Sequence, residues 1–317
     1  MKVQVLTRPS MNSAFSCLLI RNVTQGIGGE FAYKECTKRE IADLLDPQAD
    51  VVILIGFSYY QGSYYDEELM EKLDSDWGYP FSECLWVSNY GDDVTAKAVT
   101  HLRACEDKQS LIRMLFSTLN KHPFFSSALD SYGIIAPVHE YYTTGQGNDG
   151  VVCCELFNMY GMSLVDELAY KTLPQITQEH LPVLLNQLRN RTTYLTKKVQ
   201  SAVVRTAFRE SEPLNIYVIG ADRYHNEIAQ HLLDKLEGTV EPVIIVLISR
   251  DGEKERYTFR SRGVNCLEIA KLFDENAKGQ PYATTVWVNT VSAESLVGDV
   301  LAETLDKLPS KANLLSV

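Results

Sequence analysis

Several features that would assign a function class at once are missing from this 317-residue chain. Its longest apolar runs, Val51–Phe57 and Val243–Ile248, fall far short of the roughly 20 residues that span a bilayer. No membrane partner is therefore expected. The first residues, Met1-Lys-Val-Gln-Val-Leu-Thr-Arg-Pro, contain no apolar core of a secretory leader. The seven cysteines (Cys17, Cys36, Cys84, Cys105, Cys153, Cys154 and Cys266) include no CxxC, and the Cys153–Cys154 pair has no second pair to complete a zinc site. A cytoplasmic protein with free thiols is the expectation, and the sequons at Asn22 and Asn190 then carry no meaning. With 30 Lys and Arg against 41 Asp and Glu, the net charge of −11 excludes a uniformly basic nucleic-acid coat. No GxxxxGK is present, and Gly26-Ile-Gly28-Gly29 does not fit a dinucleotide fingerprint. Ser13, Ser16 and Ser58 lack a GxSxG elbow, and His101, His122, His180, His225 and His231 form no HxxxH or HExxH pattern.

What is present reads as an ordinary folded chain, 45% hydrophobic and 22% charged. At this length two domains are the default. Lys2–Thr7 alternates like a strand and Ser10–Ile20 follows as a helix. Phe31–Thr37, Asp50–Phe57 and Glu83–Ser88 read as further strands, with Lys38–Leu45 and Asp66–Leu73 as helices. Asp50–Phe57 is the β-branched, continuous run of a strand buried on both faces. Strands alternating with helices predict a parallel sheet covered on both sides. Residues 93–175 read as mostly helical, broken by a loop at Thr143–Gly150. A second α/β unit follows, with strands at Leu214–Gly220, Val243–Ser249, Arg256–Ser261 and Ala283–Asn289. Helices are expected at Arg223–Leu236, Val264–Phe273 and Ala293–Leu308.

The charge is unevenly spread. Residues 1–170 hold 12 basic and 23 acidic groups, whereas residues 171–209 hold 7 basic and one acidic group. That basic strip lies in Gln175–Arg209, which reads as one long helix with Pro182 near its start. Three segments result: 1–174, an α/β domain with a helical extension; 175–212, a basic linker helix; and 213–317, a smaller α/β domain.

The line Arg256-Tyr-Thr-Phe-Arg260-Ser261-Arg262-Gly-Val-Asn-Cys-Leu-Glu-Ile-Ala270-Lys-Leu-Phe273, followed by Asn276-Ala-Lys278-Gly279-Gln280-Pro281, resembles the C-terminal substrate-binding domain of the DHH phosphoesterase superfamily, which includes nanoRNases. There an Arg-Ser strand precedes a helix and then a Gly-Gly-Gly-His loop. The resemblance implies an N-terminal parallel-sheet domain holding two metal ions, a linking helix, and a substrate between the domains. It also implies metal ligands in a His-x-Asp-x-Asp-Gly motif after the first strand, an Asp before Phe-Ser, and Asp-His-His after a later strand, since two divalent ions need several converging carboxylates and imidazoles. The matching positions here are Thr7, Pro9 and Met11, then Gly56, then Ser88, Asn89 and Tyr90. The first Asp of the chain is Asp43 and the first His is His101, so no shift of register restores the first motif. Near a fourth family position only His139 and Glu140 offer ligands. No metal, no cofactor and no catalytic residue is expected.

The group expected to bind a ligand is Arg260, Ser261, Arg262, Lys278, Gly279 and Gln280, where guanidinium groups and a glycine-containing loop suit a phosphate. A structural role for these arginines, pairing with Glu253 or Glu268, is equally open. Ser58-Tyr-Tyr-Gln-Gly-Ser-Tyr-Tyr65 places Tyr59, Tyr60, Tyr64 and Tyr65 after a sheet strand, as a candidate recognition loop for bases or for a protein. The leading expectation is a catalytically degenerate homologue that holds a nucleotide, cyclic dinucleotide or short oligonucleotide, such as a phage-type sequestering or counter-defence protein. A scaffold for a protein partner, and an active phosphodiesterase with a site rebuilt from His139, Glu140, Asp92 and Asp93, are the alternatives. A homodimer is a further candidate assembly.

Overall fold

The computed structural model describes residues 1–59, 64–73, 83–88, 94, 99–103, 110–119, 132–144, 148–209, 212–238, 241–251, 254–277, 279–288, 297–299 and 301–303. The chain divides into two compact units, Met1–Leu188 and Arg189–Val317.

Unit 1 is built on five parallel strands, β1 (Lys2–Thr7), β2 (Glu30–Glu35), β3 (Val51–Ile55), β4 (Glu83–Ser88) and β5 (Val99–Arg103), in the order β2-β1-β3-β4-β5. Its helices are α1 (Met11–Gly26), α2 (Ile41–Leu44), α3 (Tyr64–Leu73), α4 (Leu111–Leu119), α5 (Tyr132–Thr144), α6 (Asn148–Tyr160), α7 (Leu164–Tyr170) and α8 (Leu173–Glu179). Alternate residues of each strand face opposite sides. Val3, Val5, Ile53, Ile55 and Val87 therefore meet Phe15, Leu19, Leu115, Ile135 and Leu156 of the longer helices. Leu6, Val52, Leu54 and Trp86 meet Ile41, Leu69 and Leu73 on the other side. The β-branched run of β3 is wholly buried, as its sequence predicts.

Two expectations need correcting in this region. The stretch read as helical from residue 93 contains β5, whose Val-Thr-His-Leu-Arg pairs with β4 as a parallel edge strand. The loop expected at Thr143–Gly150 is shorter, because α5 runs to Thr144 and α6 starts at Asn148.

The segment Gln175–Arg209 is not one helix. His180 closes α8, the helix α9 (Leu181–Gln200) follows, and β6 (Val203–Arg209) completes the segment as a strand. The cause is period: Ala207 is buried and Val203 packs on the same core, while Val204 and Thr206 are exposed. Two-residue alternation suits a strand and not a helix.

Unit 2 carries a six-stranded mixed sheet, in the order β10-β11-β9-β8-β7-β6. Its further strands are β7 (Glu212–Gly220), β8 (Val243–Asp251), β9 (Lys254–Arg262), β10 (Gly279–Gln280) and β11 (Ala283–Val288). Among the described strands of this sheet only β7 and β8 run parallel. The helix α10 (His225–Lys235) lies on one face, where Ile228, Ala229 and Leu232 cover Ile219, Ile245 and Leu247. On the opposite face α11 (Cys266–Ala270) joins Ile216, Val246, Tyr257 and Phe259. Of the closing helix expected at Ala293–Leu308, residues 297–299 and 301–303 are described and are helical. Among the described residues no helix is long and apolar enough to cross a membrane.

Candidate functional site

In an open parallel sheet, ligands bind outside the carboxyl ends of the strands, where the strand order reverses. Here the reversal falls between β1 and β3. Thr7 ends β1, and its buried hydroxyl donates to the Ile55 carbonyl at 3.3 Å. Gly56 follows β3 with φ +78°, and its N–H donates to the Val87 carbonyl at 2.9 Å. This is backbone that favours glycine, so the residue fits a tight exit from the sheet. Ser10 caps α1 by accepting from the Ser13 N–H at 3.0 Å. Met11 is buried in the core. Asn12 is buried as well, and its carbonyl oxygen accepts from the Ile112 N–H at 3.1 Å, which ties the start of α4 to the start of α1.

Beside this edge, the Ser110 hydroxyl lies 3.0 Å from Nδ1 of His139 and also accepts from the Arg113 N–H at 3.3 Å. Burial, aided by Arg113, lowers the His139 pKa, which favours the neutral imidazole beside the serine hydroxyl. Glu140 is exposed. Ser88 is buried at the end of β4, while Asn89, Tyr90, Asp92 and Asp93 lie outside the described residues.

A pair of divalent cations needs convergent oxygen and imidazole donors, several of them charged. The described edge supplies hydroxyls, one amide already bonded to backbone, a thioether, a proline ring and a glycine, with a single imidazole, that of His139, beside it. Among the described residues no three His, Cys, Asp or Glu side chains come together as a metal group. The donor set of the described edge does not fit a two-metal centre.

The tyrosine-rich segment divides. Tyr59 is buried and meets Trp86 edge-on at 5.9 Å, so it belongs to the core. The Trp86 indole donates to the Phe57 carbonyl at 2.7 Å, and Lys38 donates to the Ser58 carbonyl and the buried Asp66 carboxylate. Tyr64 is 72% exposed. Tyr60 and the Tyr65 side chain lie outside the described residues.

In unit 2 the expected ligand group separates by strand geometry. Arg260, Ser261 and Arg262 alternate across β9. The Ser261 hydroxyl donates to the Val264 carbonyl, and Arg262 donates to the Leu236 carbonyl just past α10 at 3.2 Å, a favourable place for a cation. Arg260 instead donates to the Phe259 carbonyl at 2.8 Å and to the Asn226 side chain. Burial lowers its pKa from the ordinary guanidinium value. Ala283 pairs with Arg260 on one side and with Gln280 on the other. Directly opposed residues share a face, so Arg260 and Gln280 flank a single methyl group. Gly279 has a packing reason: a Cβ there would stand 2.3 Å from Thr284 Oγ1. Lys278 lies outside the described residues. The neighbouring His225 was read from the sequence as an isolated residue. Its role needs the strand register, which brings β9 beside the start of α10.

No family model matches the chain, and no curated protein matches it. Solved structures do. An exopolyphosphatase-related protein from Bacteroides fragilis superposes with a TM-score of 0.51 at 12% identity, covering 96% of this chain and 92% of that one. RecJ from Thermus thermophilus, solved with Mn2+, superposes with a TM-score of 0.53 at 11% identity, covering 97% of this chain and 52% of that one. Identities this low speak for architecture alone. Together with the parallel sheet of unit 1 and the mixed sheet of unit 2, they show that the chain shares the fold of these two proteins.

Proposed function

We propose that the chain is a catalytically degenerate DHH-type protein that binds a nucleotide or short oligonucleotide without cleaving it. The observation that carries the reading is a mismatch between two places on one fold. At the strand-order reversal of unit 1, Thr7, Pro9, Met11, Gly56 and Ser88 offer no carboxylate or imidazole where hard cations would need them. On unit 2, Arg260 keeps a guanidinium beside Gln280, across the small Ala283. A guanidinium in that position suits a phosphate oxygen. Sequestration of a signalling or defence nucleotide, of the phage counter-defence kind, is the use that such a protein would serve.

Thermal unfolding of the full chain with added 5′-phosphorylated oligoadenylate is the direct test. A binder raises the melting temperature with the logarithm of ligand concentration, and Arg260→Gln removes the rise. Incubation of the same oligonucleotide with manganese should release no mononucleotide. Absence of any thermal shift at millimolar ligand would remove the binding half of the reading, and metal-dependent release would remove the other half.

A further inference from the structure

The face of the unit 2 sheet that α10 covers at β7 and β8 continues across β9 and β11, and no described helix covers it there. Strand pairing puts three rows on that face: Arg260 with Ala283, Thr258 with Thr285, and Arg256 with Trp287. Thr285 and Trp287 are exposed, the indole at 48%. Arg256 lies 5.9 Å from the centre of the Trp287 ring. It also donates to Ser249 Oγ at 3.1 Å and to His225 Nδ1 at 3.3 Å. His225 can accept because its Nε2–H is engaged by the Ala221 carbonyl at 2.9 Å.

The two arginines of this shelf form no ion pair among the described residues, unlike others of the same unit. In the same unit Arg191, Arg205 and Arg250 pair with Glu227, Asp299 and Glu255. Arg256 and Arg260 have no carboxylate partner among the described residues. Two partly buried guanidinium groups on one sheet face, with Glu227, the carboxylate that acts on Arg260, already paired with Arg191, give a local positive potential complementary to a polyanion. A bare polyanion, however, would need no indole. An exposed indole held by an arginine offers a planar surface on which a base can stack, with the cation beside it.

We infer that Trp287, held by Arg256, is a base-stacking platform, so that this shelf selects polyanions that carry nucleobases over those that do not. The inference rests on the binding reading above and adds to it the part of the ligand that is recognised. Trp287 projects from an exposed strand position, and its removal empties no core.

The test compares 5′-phosphorylated triadenylate with an abasic trimer of the same phosphate backbone, titrated into the full chain. Wild type should bind the triadenylate more tightly than the abasic trimer. Trp287→Ala should weaken triadenylate binding by about 5- to 150-fold, the range expected for loss of one stacked base, and leave the abasic trimer unaffected. Trp287→Phe should retain most of the affinity, with the melting temperature of each free variant confirming an intact fold. Equal triadenylate affinity for wild type and Trp287→Ala would overturn the platform and leave the binding reading standing, as would equal wild-type affinity for the two trimers. Failure of wild type to bind either trimer would overturn both.

Discussion

Asn12 illustrates how one buried amide can tie together two helices distant in sequence. Its amide oxygen accepts from the first turn of α4 in a buried setting, so Asn12→Ala would leave the Ile112 N–H without that partner. The cost should be about 1–3 kcal/mol, measured as a fall in the urea midpoint with an unchanged slope. Nothing in the sequence around Asn12 announces that bond, because its partner lies 100 residues away. His225 is similarly silent in sequence. Burial, with Arg256 and Arg260 nearby, lowers its pKa below the ordinary 6.5. The unfolded chain therefore binds the proton more readily, and the folded state loses stability as pH falls through about 6.5 toward the folded-state value. Above about pH 7 both states are neutral there, and His225 adds no pH dependence. His139 is shifted the same way, so the acid-side decline in melting temperature should be reduced, not abolished, by His225→Gln.

Contacts between elements set other tolerances. A Cβ at Gly150 in α6 would stand 2.5 Å from the Pro137 carbonyl oxygen and 2.6 Å from Tyr141 Cβ in α5. Because the first obstacle is backbone, Gly150→Ala should destabilise by about 1–3 kcal/mol through overpacking, although alanine is the better helix former. Gly133 in α5 has nothing within 4 Å of such a Cβ. Gly133→Ala should stabilise by ~0.4–1 kcal/mol, and paired urea titrations of the two variants check both signs. The element order was legible where period and burial agreed: β1 declares itself by alternation, and β3 and β8 by β-branched runs. β5 and β6 did not, since the first is a five-residue edge strand and the second followed a helix without a proline or glycine to mark the change. The strand-pairing partners that stabilise them lie elsewhere in the sequence. At the site, the run from Arg256 to Phe273 was legible as a motif. That Arg260 and Arg262 serve different ends of α10 follows from strand geometry, and the exposure of Trp287 goes with a sheet face that no described helix covers at β9 and β11.

At the scale of the whole molecule, the charge count acquires a location. Unit 1 has 13 basic and 24 acidic residues, and unit 2 has 17 of each, so the entire −11 belongs to the acidic unit. The proposed polyanion binding would therefore depend on local placement in a neutral unit, which favours short ligands over nonspecific coating of long nucleic acid. The cysteines carry a different consequence. Cys17, Cys36, Cys84, Cys153 and Cys266 are all buried. Burial raises the thiol pKa of Cys17, and pushes Cys36 and Cys266 up to about 11 and Cys153 up to about 12. Thiolates are the reactive species, so these residues are chemically silent until the surrounding core opens. With Cys105 and Cys154 replaced by serine, uptake of a maleimide label becomes a clock for opening, with Cys17, Cys36, Cys84 and Cys153 reporting on unit 1 and Cys266 on unit 2. Mass spectrometry of partly labelled protein would then show whether the two units come apart together or in turn.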